Sequence, residues 1–174
     1  MGPYSVTQLD TSVGLAGNAV RVRSVMQGAL PNLHAALVHF PIGLLTAAVI
    51  ADLAAVTRLS QEPLRPAVTA LHVLGTLTLI VTYIAGRSAA STVFTPGMAH
   101  GIVDEHWTLA LGVTIYFAVL TVLRLTAGWI ITTRRWTLWA VLMIAGVIGL
   151  FWLILTADHG GQLVYRWGVG VAGP

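Results

Sequence analysis

Six histidines stand out in a chain of 174 residues that offers little other titratable chemistry: six acidic residues, nine arginines, no lysine and no cysteine. Two of them, His34 and His39, sit in Leu33-His34-Ala35-Ala36-Leu37-Val38-His39-Phe40-Pro41-Ile42-Gly43-Leu44-Leu45, the mouth of an apolar run that reaches Asp52. His72 lies inside a second apolar run, His100 and His106 flank the acidic pair Asp104 and Glu105, and His159 follows Asp158 near the end of a fourth run. An imidazole at or inside a membrane span loses hydration that lipid cannot replace, so it needs a partner such as a metal, a carboxylate or a pore water. That cost marks these side chains as candidates for ligation or proton handling.

The elements that carry them must be membrane helices. Apolar residues make up 56% of the chain and charged residues 9%, with a mean hydropathy of +0.83, which excludes an ordinary soluble domain. The formal charge of +3 is dispersed over several loops rather than gathered in a basic patch, so nucleic-acid binding has no support. The lack of cysteine removes disulfides, thiolate-held iron–sulfur clusters and covalently attached c-type haem from this chain.

Residues 1–30 read as an amino-terminal arm, with a short amphipathic helix over 18–30, and residues 31–174 as the membrane domain with a glycine-rich carboxy-terminal tail. Four spans are expected, at 34–57, 67–86, 106–124 and 136–156, each near the roughly 20 residues that cross the hydrocarbon. Trp107, Trp129, Trp136 and Trp139 mark the headgroup levels, and Pro41 bends the first span just after His39. The fold class is an all-α membrane protein, an antiparallel four-helix bundle joined up and down.

That topology collects His34, His39, His100, His106 and His159 on one face and leaves His72 toward the other, where an antiparallel neighbour brings it level with Asp52. Asp52 and His72 are expected to form a buried pair, structural or proton-handling, the latter serving a quinone. The face opposite the cluster carries Arg58, Arg65, Arg124, Arg134 and Arg135, against Arg87, Arg166 and the more distant Arg21 and Arg23 on the cluster face. Positive-inside counting then puts both termini and the histidine cluster outside a bacterial plasma membrane.

Imidazole from two different helices is the usual axial ligation of a haem held in a membrane bundle. His39 and His106 open two spans at comparable depth and are the expected ligands of one haem b; His34 with His159 or His100 would allow a second site or a metal. Gly43 and Gly86 would make room for the macrocycle, and Arg87 and Arg166 would pair with its propionates. Glycines at helix contacts and arginines at helix ends have plain structural uses as well.

From His34 and His39-Phe40-Pro41-Ile42-Gly43-Leu44, through Gly86 and His106, to Gly160-Gly161-Gln162-Leu163-Val164-Tyr165 and Gly168-Val169-Gly170-Val171, the chain resembles a family of small four-span bacterial membrane proteins of unknown function. Some members of that family carry the bundle fused to Rieske iron–sulfur or cytochrome c domains. The resemblance implies electron transfer at the outer face, here with a separate iron–sulfur or cytochrome c protein as partner. The sequence reading is therefore a b-type cytochrome-like subunit in the lipid bilayer, relaying electrons between such a partner and the quinone pool or a neighbouring subunit, and not an enzyme by itself. Its rivals are a metal-ion or proton transporter with a histidine entry site, and a haem-free structural anchor.

Overall fold

The computed structural model describes residues 31–57, 64–91, 93–130 and 135–170. The amphipathic arm expected over 18–30 lies outside the described residues. Helices α1 (Pro31–Leu37) and α2 (His39–Thr57) form the first span, α3 (Leu64–Ala90) the second, α4 (His100–Ile130) the third and α5 (Arg135–Tyr165) the fourth; a short 3-10 turn, Gly97–Ala99, leads into α4. All four spans are long and apolar enough to cross a membrane. Most boundaries move outward from the sequence reading. The third helix starts at His100 rather than near His106, and the fourth runs on through Gly160 and Gly161 to Tyr165, so the glycine-rich segment is largely helix.

The break between α1 and α2 falls at Val38, and its cause is Pro41. Proline has no N–H, so the carbonyl of Leu37 loses its helical donor. The hydroxyl of Thr82 on α3 reaches that carbonyl at 3.3 Å while also lying 2.7 Å from the carbonyl of Thr78. A side chain from the neighbouring helix thus covers a polar group that hydrocarbon could not.

Each helix packs on its sequence neighbour, and α2 closes the ring against α5. Large apolar side chains such as Ile50, Leu53, Leu77, Ile84, Ile115, Val119, Ile144 and Phe151 point outward, whereas Asp52, His72, Thr76, Thr121, Arg124 and Thr156 are buried. That inside-out arrangement is what lipid as solvent demands. The centre is apolar, built from Leu45, Leu79, Val113, Phe117, Leu120, Leu142 and Leu153. Thr76 and Thr121 share a hydrogen bond of 2.8 Å across it.

The bundle is a duplicated helix pair. His34 and His106 are 72 residues apart, as are Leu45 and Phe117, and Asp52 and Arg124; in the second helix of each pair the offset is 74. Gly75-Thr-Leu-Thr-Leu-Ile-Val-Thr-Tyr-Ile-Ala-Gly86 and Gly149-Leu-Phe-Trp-Leu-Ile-Leu-Thr-Ala-Asp-His-Gly160 then align with five of twelve positions identical. Contacts repeat with the residues. A Cβ on Gly75 would meet Leu45 Cδ2 at 2.7 Å, and one on Gly149 would meet Phe117 Cζ at 2.9 Å, so each pair is held close by a glycine under the equivalent side chain. Both pairs run the same way through the membrane, which relates them by a pseudo-two-fold axis along its normal.

Candidate functional site

At the end of the bundle where α1 and α4 begin, His34 and His106 occupy equivalent positions and are held in the same way. The Nδ1 of His34 lies 3.0 Å from the carbonyl of Thr82, and the Nδ1 of His106 lies 3.0 Å from the carbonyl of Thr156. A carbonyl only accepts, so both Nδ1 atoms carry the proton and both Nε2 atoms present a lone pair. Each ring lies over a glycine one turn further along the partner helix: Cε1 of His34 would be 2.8 Å from a Cβ on Gly86, and Cε1 of His106 would be 3.1 Å from one on Gly160.

The two rings line one pocket. Its other walls are again equivalent pairs: Val38 and Ala110, Pro41 and Val113, Ile42 and Thr114, Leu79 and Leu153, Thr82 and Thr156, Tyr83 and Ala157. The pocket therefore sits on the pseudo-two-fold axis. It contains about 440 Å³ of unfilled space including its open mouth, of which about 60 Å³ is wide enough for a water-sized sphere. It is a slot, not a chamber.

The sequence reading paired His39 with His106; the structure brings His34 to that place. Five residues turn a helix by about 500°, so His39 points ~140° away from His34. It is exposed, its Nδ1 3.4 Å from the carbonyl of Ala36, and Gly43, one turn on, has nothing within 4 Å. Of the two expected glycines, Gly86 alone adjoins an imidazole, and what it accommodates is the ring itself. His159 donates to the carbonyl of Leu155 at 2.9 Å and lies 3.8 Å from Glu105, outside the slot, and His100 is exposed at the start of α4. Neither joins His34. Arg87 stacks on Trp107 with its guanidinium 4.1 Å from the ring centre, beside Tyr83, and Arg166 reaches Gln162 at 3.5 Å.

A second cluster lies toward the other end of the bundle. Arg124, 1% exposed, grips Asp52, 7% exposed, with both terminal nitrogens: Nη1 donates to Oδ1 at 3.2 Å and Nη2 to Oδ2. Nη2 also reaches the carbonyl of Leu142 at 3.4 Å, and the guanidinium stands 5.8 Å from the Trp139 ring centre. His72, fully buried, donates from Nδ1 to the carbonyl of Val68 at 3.0 Å and turns Nε2 toward Asp52 Oδ2 at 3.9 Å. The expected Asp52–His72 neighbourhood is present, but the ion pair of Asp52 is with Arg124, which sequence reasoning placed at the end of the third span. The missed signal is the duplication, since Arg124 occupies in the second half the position of Asp52 in the first.

Residues 30–173 match a family described as a predicted membrane protein, DUF2231. No curated protein and no solved structure matches the chain.

Proposed function

From its membership of DUF2231, a family of predicted membrane proteins to which this chain belongs, and from the paired imidazoles, we propose that it is a membrane-embedded b-type cytochrome subunit with His34 and His106 as axial ligands of one haem. The observation that carries the reading is that two imidazoles from different helix pairs, each with Nδ1 committed to a backbone carbonyl, meet in an apolar slot on the pseudo-two-fold axis. A carbonyl on Nδ1 is the usual support that fixes a metal-binding histidine's tautomer and orientation. Two imidazoles do not complete a tetrahedral site. A haem would need only two ligands from the protein, and His34 and His106 would supply them from equivalent positions. Among the described residues no group of three His, Cys, Asp or Glu side chains is placed to hold a metal ion, which favours this reading over a histidine entry site for a transported metal.

A haem supplies one-electron chemistry; the chain's part is to hold it in a dry site near one face. The slot as described has no room for a macrocycle, so haem binding would require the His34 and His106 rings to separate. Arg87, exposed on the same end and stacked on Trp107 beside Tyr83, would pair with the propionates. With Arg124 buried, Arg58, Arg65, Arg134 and Arg135 against Arg87 and Arg166 still favour this end as the outer one, where a separate iron–sulfur or cytochrome c protein would dock and pass electrons on toward the quinone pool or a neighbouring subunit.

The test is a visible spectrum with pyridine haemochrome analysis of protein expressed with haem available. Expected are the sharp reduced bands of a low-spin bis-imidazole b haem at one per chain, lost or turned high-spin in His34→Ala and in His106→Ala. A colourless wild-type protein overturns the reading.

A further inference from the structure

The Asp52–Arg124 ion pair balances the charges of its cluster but leaves two polar atoms over. His72 donates from Nδ1 to the carbonyl of Val68, so its Nε2 carries a lone pair and needs a donor. Arg124 gives Nη1 and Nη2 to Asp52, and Nη2 also to the carbonyl of Leu142, so its Nε–H needs an acceptor. Both atoms are fully buried, and neither has a hydrogen-bond partner in the protein. In a bundle that lipid surrounds, a polar atom left in that condition carries the whole cost of its desolvation.

The duplication leaves room beside them. Gly146 stands 74 residues after His72, at the position of that imidazole in the second half, so the cluster is one side chain short on the side of α5. Gly146 is buried, and the nearest atoms to a Cβ on it would be Val49 Cγ2 at 3.4 Å, His72 Nε2 at 3.8 Å and Arg124 Nη2 at 4.0 Å. The place a side chain would take is therefore bordered by the imidazole and by the guanidinium. We propose that one internal water molecule sits over Gly146, accepts from Arg124 Nε–H and donates to His72 Nε2. Asp52 Oδ2, 3.9 Å from Nε2, is an acceptor in the same cluster for the second hydrogen. Three partners are the usual complement of a buried water.

Water suits the place because it donates and accepts at once. An ion does not: Asp52 and Arg124 already cancel, and a further charge would be buried without a counter-charge. An apolar filler would satisfy neither atom. The water makes His72 a working part of the lock between the helix pairs, as a neutral acceptor that takes up no proton. Asp52 comes from α2, His72 from α3 and Arg124 from α4, and Gly146 of α5 supplies the floor. The proposal does not depend on what occupies the slot at the other end of the bundle.

The experiment is solid-state NMR of the full chain in lipid bilayers with ¹⁵N-histidine, joined to thermal unfolding of Gly146→Ala. His72 precedes Val73, and no other histidine in the chain is followed by valine, so that pair identifies its signals. Expected are an Nε2 resonance moved to lower frequency from the free lone-pair position, as a received hydrogen bond moves it, and magnetisation transfer to Nε2 from a proton that exchanges with water. An unshifted Nε2 overturns the proposal, as does a shifted one with no exchanging proton beside it. In Gly146→Ala the methyl group makes only ordinary contacts but takes the water's place, so the transfer should vanish and the melting temperature should fall. Were the place empty, the same substitution would fill it and exchange glycine for a better helix former, and a raised melting temperature therefore overturns the proposal. Transfer that survives in Gly146→Ala overturns it as well. Should the variant fail to fold, the wild-type spectrum decides alone.

Discussion

The two ends of the bundle treat the same symmetry in opposite ways. At the slot, equivalent positions hold equivalent residues: histidine faces histidine, threonine carbonyl faces threonine carbonyl, and glycine lies under each ring. At the Asp52–Arg124 cluster, equivalent positions hold complements: Asp52 opposes Arg124, and His72 opposes Gly146. Two imidazoles whose Nδ1 atoms both donate to carbonyls leave two Nε2 lone pairs that cannot satisfy one another, which is the ground for the ligand proposed at the symmetric end. The asymmetric end satisfies itself and locks one helix pair to the other. Identity across the axis points to a ligand, and complementarity points to an interface.

The largest effect that would break this contrast is at the lock. Arg124→Gln leaves Asp52 as an unpaired charge in a bundle that lipid surrounds, and loss of one partner of a buried pair costs about 3–5 kcal/mol. Thermal unfolding in detergent should show that loss. The exchange variant, Asp52→Arg with Arg124→Asp, places the same charges on opposite sides of the axis and should recover most of it. A double variant no more stable than Arg124→Gln would show that the two positions are not interchangeable and that the duplication does not extend to this end.

At the slot the two halves can be compared by filling the glycines. A methyl group at Gly86 would stand 2.8 Å from the His34 ring and must displace it; at Gly160 the contact is 3.1 Å and needs only a few tenths of an ångström. Gly86→Ala is therefore expected to cost about 1–3 kcal/mol, as overpacking does, and to lower haem occupancy. Gly160→Ala should do less on both measures. Equal losses would mean that the difference between the two rings is not maintained in the membrane.

How much of this was legible in the sequence depends on what kind of fact it is. Four spans, their direction and the sidedness of the histidines follow from length and hydropathy, because lipid leaves helices little alternative. Depth along a helix was legible too, which is why Asp52 and His72 were expected side by side. Rotation about the helix was not. These spans are apolar all round, so no polar face says which way His34 and His39 turn, and the structure turns His34, not His39, toward the pocket it shares with His106. The duplication would have resolved it, since His34, not His39, is 72 residues from His106, and the Gly-x-x-x-Leu-Ile-x-Thr-x-x-x-Gly register shared by Gly75 to Gly86 and Gly149 to Gly160 was on the page. Arg124 was hidden by a reasonable habit of reading an arginine near a helix end as interfacial.

A smaller difference separates the two threonines. The Thr156 hydroxyl donates to the carbonyl of Trp152 at 2.9 Å, a group already bonded within its helix, whereas the Thr82 hydroxyl also covers the Leu37 carbonyl that Pro41 strands. Removing a hydroxyl while keeping shape isolates that distinction. Thr82→Val should cost about 1 kcal/mol or somewhat more, the penalty of a carbonyl left unsatisfied, and Thr156→Val close to nothing. Matching losses, read by thermal unfolding, would assign the break at Val38 to some cause other than proline.

The smallest effect is expected at the residues the sequence favoured and the structure turns outward. His39 makes one long contact, 3.4 Å to the carbonyl of Ala36 in its own segment, and Gly43 one turn further on meets nothing within 4 Å. Neither lines the slot. His39→Ala should therefore leave the haem bands, the haem-to-protein ratio and the midpoint potential where they are, and Gly43→Ala should be neutral or slightly stabilising, because alanine restricts the helix backbone more than glycine does. These two variants share the first span with His34 and lie within one turn of Pro41, so they also control for disturbance of that span. Loss of the reduced bands in His39→Ala with His34→Ala unaffected would reverse the assignment, and would require α1 and the start of α2 to be turned by about 140° from the structure described.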